Sequence, residues 1–152
     1  MDRIEQHLDN LYEDFFHMDF LYSEFAKRYG ESYYSMTVLG ILNDNPNGIS
    51  QKQLCQMLFL PKQTVGSIMS GFERRGLATH RQDQLDRRSK LHVLTKEGKR
   101  YCGNMMDALR RIELTCVQQI GEDDMNKAHE ITKRYLNSFK QALDSTESDE
   151  TS

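Results

Sequence analysis

The clearest pattern near the N-terminus is a row of apolar residues separated by three or four positions. The row runs from Ile4 to Phe25, and a second row beside it consists of Tyr12, Phe16 and Phe20. Such spacing places side chains on one face of a helix. This helix is more broadly apolar than a small monomer can easily cover, so it is either a core helix or a subunit interface. We favour the interface.

Two further helices, and the turns that end them, follow from the same spacing rule. After a break at Gly30, a helix capped by Ser32 extends to Leu42, where the turn-forming residues 43–48 end it. A long helix is predicted over Lys96 to Ile120 and is broken by Gly121.

The C-terminal part of the chain begins with three acidic residues, 122–124, which favour the positive end of a new helix. Apolar residues at near-heptad spacing continue that helix to Ala142. Residues 144–152 contain only Ser, Thr and acidic side chains, so we predict a disordered tail.

A helix-turn-helix pattern lies between these long helices. Ser50 and Gln53 have the spacing of a capping box at the start of a short helix, and Leu60-Pro61 marks the turn into the next one. The second helix buries one apolar face: Val65, Ile68, Met69 and Phe72. We interpret it as a recognition helix for the DNA major groove.

The opposite face of this recognition helix carries hydrogen-bonding side chains, namely Lys62, Gln63, Thr64, Ser67 and Ser70. Gln63 can pair with an adenine edge, Thr64 can meet a thymine methyl group, and Lys62 can reach guanine or phosphate. Gly66 lowers helix stability by about 1 kcal/mol relative to alanine, which either a close backbone approach or simple tolerance would explain.

Arg74-Arg75-Gly76 closes the recognition helix with cations and a glycine C-cap, and the arginines can serve the helix dipole, DNA phosphates or both. Strands Leu77 to Arg81 and Lys90 to Leu94 then predict a β-hairpin. Arg87 and Arg88 in its loop can enter a narrow minor groove, and we assign Asp86 the role of orienting an arginine.

Charge is distributed very unevenly along the 152 residues. The net charge is −3, yet residues 50–100 hold eleven Lys or Arg against four Asp or Glu, a balance of +7, which leaves −10 for the rest. A concentrated positive charge is typical of a surface that meets phosphate, although an uneven solvated surface is the alternative.

The residues Glu73-Arg74-Arg75-Gly76-Leu77, Asp86-Arg87-Arg88 and Leu94-Thr95-Lys96-Glu97-Gly98 together resemble the MarR family of winged-helix transcription regulators. The resemblance covers nearly the whole chain, because the flanking helices match in order and length. It implies a homodimer that pairs through its first and last helices and binds a pseudo-palindromic operator.

By position, the resemblance assigns residues 62–67 to the major groove, Arg88 to the minor groove and Asp86 to holding Arg88. It also implies release from DNA by a small aromatic or phenolic effector. Aromatic residues within 15–34 can line a cavity for such a molecule, but a subunit interface explains them equally well. We therefore assign no ligand-binding residue.

The chain departs from the peroxide-sensing and zinc-responsive members of that family. Its three cysteines, Cys55, Cys102 and Cys116, lie outside the first helix and are interpreted as small apolar residues, while its five histidines are scattered. We expect no metal, no cofactor and no enzymatic activity, since no nucleophile elbow, phosphate loop or cofactor fingerprint is present. The sparse, odd set of cysteines fits a reduced cytoplasm. The absence of a long apolar run or signal peptide predicts a protein without a membrane segment.

The predicted fold is mainly α with a small β-hairpin wing, a winged helix-turn-helix with dimerisation helices at both ends. We expect one intertwined domain overall, in which residues 1–31 form the N-terminal dimerisation helix, 32–100 the DNA-binding region, 101–143 the C-terminal dimerisation helices and 144–152 the tail. The expected function is a homodimeric, double-stranded-DNA-binding repressor that a small molecule or other signal releases. The alternative is a winged-helix protein that uses its basic face for a protein or RNA partner.

The predicted DNA-binding residues are Lys62, Gln63, Thr64, Ser67, Arg74, Arg75, Arg87 and Arg88, with Asp86 orienting Arg88.

Overall fold

The computed structural model describes residues 3–84 and 89–149. Along these residues the helices and strands occur in the following order: α1 (Arg3–Lys27), α2 (Tyr33–Asp44), β1 (Ile49–Ser50), α3 (Gln51–Leu58), α4 (Lys62–Arg74), β2 (Ala78–Gln82), β3 (Lys90–Leu94), α5 (Lys96–Ile120) and α6 (Glu122–Asp149). The predicted winged helix-turn-helix, mainly α with a small β wing, is confirmed.

The chain forms two compact units, residues 1–109 and 110–152, whose boundary falls within α5. The first unit contains the buried core, to which α1, α2, α3, α4, all three strands and the start of α5 contribute: Ala26, Met36, Val38, Leu39, Leu42, Ile49, Leu54, Val65, Met69, Phe72, Leu77, Ala78, Leu94, Cys102 and Met105. The second unit contains the rest of α5 and all of α6, and most of its large apolar side chains are exposed. In the described part of the chain, no helix is both long and apolar enough to cross a membrane.

The wing is a three-stranded antiparallel sheet in which β3 lies between β1 and β2. The predicted hairpin is present, with its first strand displaced by one residue to Ala78–Gln82. Strand β1 was not predicted, because two residues are too few to show an alternating pattern. It pairs Ile49 with His92 and thereby ties the start of α3 to the wing.

The local sequence marks where the two helices of the helix-turn-helix begin. The predicted capping box is confirmed at α3, where the Gln53 amide donates to Ser50 Oγ at 3.2 Å and the Ser50 amide donates to Gln53 Oε1 at 3.0 Å. Pro61, in the predicted turn, is the N-cap of α4.

The three cysteines occupy different environments. Cys102 is fully buried, donates to the Leu39 carbonyl at 3.3 Å, and burial raises the pKa of its thiol to about 11. Its interpretation as a small apolar residue therefore fits. Cys55 is half-buried, whereas Cys116 is exposed, so the same interpretation fits Cys116 poorly.

Gly121, with φ of 90°, separates α5 from α6 as predicted. The expected disordered tail is corrected, because α6 continues to Asp149 and residues 144–149 are helical. Ser145 and Thr146 donate their hydroxyls to carbonyls three or four residues earlier, which keeps these polar groups compatible with a helix. The segment also contains no Gly or Pro.

The Leu94–Gly98 segment joins the wing to α5 through backbone contacts. The Thr95 amide donates to the Leu77 carbonyl at 3.0 Å, and the Thr95 hydroxyl donates to the Gly76 carbonyl at 2.6 Å. The same hydroxyl oxygen accepts from the Gly98 amide at 3.0 Å and so caps α5. A Cβ at position 98 would lie 1.8 Å from the Leu77 carbonyl oxygen, so only glycine fits there.

We expect Gly98→Ala to lower the free energy of unfolding by about 3 kcal/mol or more, because backbone must move to admit the methyl group. Gly103→Ala on the same helix is the matched control, since a Cβ there meets nothing within 4 Å. The control should be neutral or stabilising by up to about 1 kcal/mol. Urea unfolding of both variants measures the difference, and equal stabilities would contradict the explanation.

Candidate nucleic-acid interface

Helix α4 presents two chemically distinct faces. Val65, Met69 and Phe72 are buried in the core, and Ile68 is half-buried against it. The polar side chains predicted for DNA lie on the other side: Lys62, Gln63, Ser67 and Ser70 are exposed and Thr64 is half-buried. The structure therefore brings the predicted major-groove residues together on one accessible surface.

The turn between α3 and α4 is tightly defined. Phe59 has φ of 52°, the only positive φ of a non-glycine residue in the described ranges, and the Leu60 amide donates to the Cys55 carbonyl at 3.2 Å. Phe59 is also 93% exposed. The left-handed conformation at this position ends α3 and directs the chain into α4.

Gly66 accommodates a neighbouring side chain of the same molecule. Gln51 at the start of α3 donates through Nε2 to the Lys62 carbonyl at 2.7 Å. A Cβ at Gly66 would lie 2.9 Å from that nitrogen. The close approach considered for Gly66 is thus made by Gln51, which links the first turns of α3 and α4.

A cleft of about 480 Å³ separates α4 from the wing. Three lysines, Lys52, Lys62 and Lys90, line it together with one carboxylate, Glu73. Its remaining lining is mostly polar: Ser50, Gln51, Gly66, Met69, Ser70, His80, Ser89 and His92. A concave surface with excess positive charge beside an exposed recognition helix suits a DNA phosphate backbone.

A cluster that the sequence did not predict lies inside this cleft. His80 Nδ1 is 2.9 Å from Glu73 Oε1, and His80 and His92 are direct cross-strand partners with ring centroids 6.1 Å apart. Their pairing depends on the register of β2 and β3, which the spacing of two histidines along the chain does not reveal. Within the described ranges, no three His, Cys, Asp or Glu side chains are arranged to hold a metal ion.

His92 is the buried member of the cluster. Its Nδ1 is enclosed, lies 3.7 Å from Glu73 Oε1 and has no hydrogen-bond partner among the described residues. Burial lowers the pKa of His92 below its ordinary value of 6.5, with Lys90 and His80 acting in the same direction and Glu73 opposing them. The imidazole is therefore neutral near pH 7.

Arg81, near the loop end of β2, holds the wing to the segment before β1. Its guanidinium donates to the Asn47 carbonyl at 2.6 Å, which connects β2 to the loop before β1. Arg81 was not among the predicted site residues, and its partner is 34 positions away in the chain. The predicted minor-groove residues Asp86, Arg87 and Arg88 lie outside the described residues, so their roles stay predictions.

The two arginines at the end of α4 have different surroundings. Arg74 is exposed in the last turn. Arg75 instead donates through Nη2 to Glu31 Oε1 at 2.7 Å, and its guanidinium lies over the Tyr101 ring at 5.3 Å from the centroid. Arg75 is thus paired with a carboxylate of its own chain, and its predicted contact with DNA stays a prediction.

Glu31 is almost completely buried, with 3% of its side chain exposed. It accepts hydrogen bonds from Arg75, Tyr101 and Ser35, each at 2.7 Å. Burial acts to raise the pKa of Glu31, but these hydrogen bonds outweigh it and hold the pKa below its usual value of 4.5. Glu31 is therefore ionised at neutral pH.

Comparison with known proteins agrees with this geometry. Residues 35–89, which include α3, α4 and β2, match the sequence model of the MarR family. No curated protein matches the chain. The structure of NMB1585, a MarR family regulator from Neisseria meningitidis, is 19% identical with a TM-score of 0.80, and the alignment covers 92% of this chain and 98% of that one. The MarR resemblance is confirmed.

Two other MarR-like structures support the same fold. The Staphylococcus aureus MepR–DNA complex is 20% identical with a TM-score of 0.71, over 86% of this chain and 96% of that one. The transcription regulator MarR from Oenococcus oeni is 19% identical with a TM-score of 0.69, over 87% of this chain and 98% of that one. The present chain thus has the MarR fold over most of its length.

We expect the stability of this MarR-like chain to fall as pH drops below about 6.5, because the unfolded state binds a proton that buried His92 resists. The contribution of His92 to the free energy of unfolding is complete above the pKa that this side chain has in the unfolded chain. It is lost as pH falls toward the lower pKa that His92 has in the folded protein. His92→Gln should therefore lose less unfolding free energy between pH 7.5 and pH 5.5 than the unsubstituted protein.

Urea unfolding at the two pH values measures this difference, with His129→Gln, at an exposed position of α6, as the matched control. The control should keep the original pH dependence. The same loss in all three proteins would contradict the assignment to His92.

Proposed function

We propose that this protein is a transcription regulator that binds double-stranded DNA sequence-specifically. In this proposal it acts as a homodimeric repressor on a pseudo-palindromic operator and is released by a small-molecule or other signal. Helix α4 reads base edges in the major groove, and the wing contacts the adjacent minor groove.

The observation that carries the proposal is the exposed polar face of α4. Lys62, Gln63 and Ser67 stand on one accessible side of a helix whose other side is anchored in the core. Lysine and glutamine have hydrogen-bonding groups that match guanine and adenine edges, and serine can bond to either. A helix of 13 residues anchored in this way suits entry into a groove about 12 Å wide.

Electrostatics supports DNA rather than a neutral partner. Residues 50–100 carry +7 in a chain whose total is −3. The cleft beside α4 adds Lys52, Lys62 and Lys90 around a single carboxylate. The structural similarity to MepR, which is known in complex with DNA, supports the same mode of binding here.

Exposed apolar faces at both ends of the chain support a homodimer. On α1 they include Ile4, which is 75% exposed, and Phe16, which is 74% exposed. In the second unit a row on α6 contains Ile131, Leu136, Phe139 and Leu143. Apolar faces this long are costly in water, and a second copy of the chain is the partner that a two-fold symmetric operator requires.

The releasing signal remains the part of the proposal that rests on family resemblance alone. A small aromatic or phenolic effector is what that resemblance implies. We assign it no binding residue.

Selection from a pool of random DNA duplexes tests the proposal. We expect the recovered sequences to share two inverted half-sites, with centres about one helical turn or a multiple of it apart. Gln63→Ala should weaken discrimination at one position of each half-site by about 1–3 kcal/mol, because a bidentate base contact is lost.

Gln141→Ala, at an exposed position on α6, is the matched control and should select the same sequences as the unsubstituted protein. Recovery of unrelated sequences with no common half-site would overturn sequence-specific binding. If a parallel selection from an RNA pool converged on common sequences and the DNA selection did not, the RNA-binding alternative would be favoured.

A further inference from the structure

The end of the recognition helix is attached to the rest of its unit by a polar cluster built around a buried carboxylate. Glu31, Arg75 and Tyr101 come from three separate places: the turn between α1 and α2, the C-cap of α4, and the second turn of α5. We refer to these three residues as the α4 joint. None of them lies on the polar face of α4 that we propose for DNA.

The carboxylate of Glu31 is the centre of the joint. Its Oε1 atom accepts from Arg75 Nη2 and from Tyr101 Oη, both at 2.7 Å. Its backbone position is fixed separately, because the Glu31 amide donates to the Ala26 carbonyl at 3.1 Å and Ala26 is fully buried. The turn between α1 and α2 therefore holds the carboxylate in a fixed position.

Arg75 connects α4 to the Glu31 carboxylate. It occupies the first position after the helix, and its amide donates to the Gly71 carbonyl at 3.2 Å. Its guanidinium lies over the Tyr101 ring and 5.9 Å from the ring centroid of buried Phe72. A guanidinium held by both a carboxylate and an aromatic ring has little freedom to move.

Tyr101 connects the joint to α5. Its hydroxyl has a single proton to share between the Tyr29 carbonyl and Glu31 Oε1, each at 2.7 Å. The ring beneath the Arg75 guanidinium adds a contact that does not depend on the hydroxyl. The hydroxyl can therefore be removed without removing the stacking.

The joint differs in kind from the apolar contacts of α4. Val65, Met69 and Phe72 hold the helix by apolar packing, which is not directional. An ion pair in which only the carboxylate is buried adds little net stability, but its hydrogen bonds impose one geometry. The α4 joint thus restricts how the helix can rotate or slide over its apolar support.

We propose that the α4 joint sets the angle at which α4 meets DNA, so that Glu31, Arg75 and Tyr101 act as positioning residues for operator selectivity. This inference rests on the DNA-binding function proposed above. Base contacts need correctly placed side chains, whereas sequence-independent binding depends on positive charge near phosphates. A change in the angle of α4 therefore lowers selectivity while leaving affinity for unrelated DNA intact.

Two variants that preserve net charge test the inference: Tyr101→Phe and Arg75→Lys. The measured quantity is the ratio of Kd for a scrambled duplex to Kd for a duplex recovered by selection with the unsubstituted protein. We expect each variant to lower this ratio by about tenfold, the effect of one lost hydrogen bond to a charged group. Kd for the scrambled duplex should stay within about twofold, because the charge is unchanged.

The double variant supplies a second readout. Since both residues act through the same carboxylate, Tyr101→Phe combined with Arg75→Lys should lower the ratio by about as much as either alone, rather than by their product. Tyr34→Phe and Arg28→Lys make the same chemical changes outside the joint and should keep the original ratio. Circular dichroism and thermal unfolding check that each variant is folded.

The possible outcomes separate this inference from the proposed function. A ratio of one in the unsubstituted protein would refute sequence-specific binding and the selectivity claim with it. If both variants keep the high ratio, the proposed role of the α4 joint is wrong, while sequence-specific binding stands. An equal loss of affinity for both duplexes would also overturn it, because that result indicates fewer folded molecules rather than a misplaced helix.

Discussion

The close approach of the Gly98 backbone to the Leu77 carbonyl is the constraint on which the arrangement of the DNA-binding region depends. At this point a few hydrogen bonds join the end of α4, the start of β2 and the start of α5. The Leu77 amide also donates to the Phe72 carbonyl at 2.9 Å, so the same residue is bonded to the recognition helix. The recognition helix and the wing therefore share one rigid anchor.

The two sides of the DNA-binding region differ in chemistry. The inner side contains the apolar core, and the outer side contains the polar face of α4 and the lysine-lined cleft. The remaining parts of the chain show the opposite balance, with net negative charge and exposed apolar rows on α1 and α6. This separation of positive from apolar surfaces suits a protein that meets phosphate at one place and its own copy at another.

Much of the architecture was predictable from local signals. The capping box at Ser50, the break at Gly121 and the bounds of α5 all follow from residues within a few positions of one another. The predicted tail was wrong over residues 144–149, because composition alone does not exclude a helix that continues from a stable one.

The exposed face of α4 was predicted as well, since helical spacing alone separates its polar residues from its apolar ones. The contacts that were missed join residues far apart in the chain. Glu31 and Arg75 are separated by 44 positions, and Tyr101 is 70 positions from Glu31. The pairing of His80 with His92 depends on strand register. No periodicity or motif reports such pairs, because they are created by the tertiary fold.

In the function we propose, the basic segment of this chain binds duplex DNA through its phosphates as well as its bases. The most direct test is the dissociation constant for a selected duplex measured at 50 mM and 200 mM salt. If the paired DNA-binding regions of a dimer neutralise about six phosphates or more, affinity should fall by about a thousandfold or more over that range, because bound counterions are released. Equal affinity at the two salt concentrations would contradict the account.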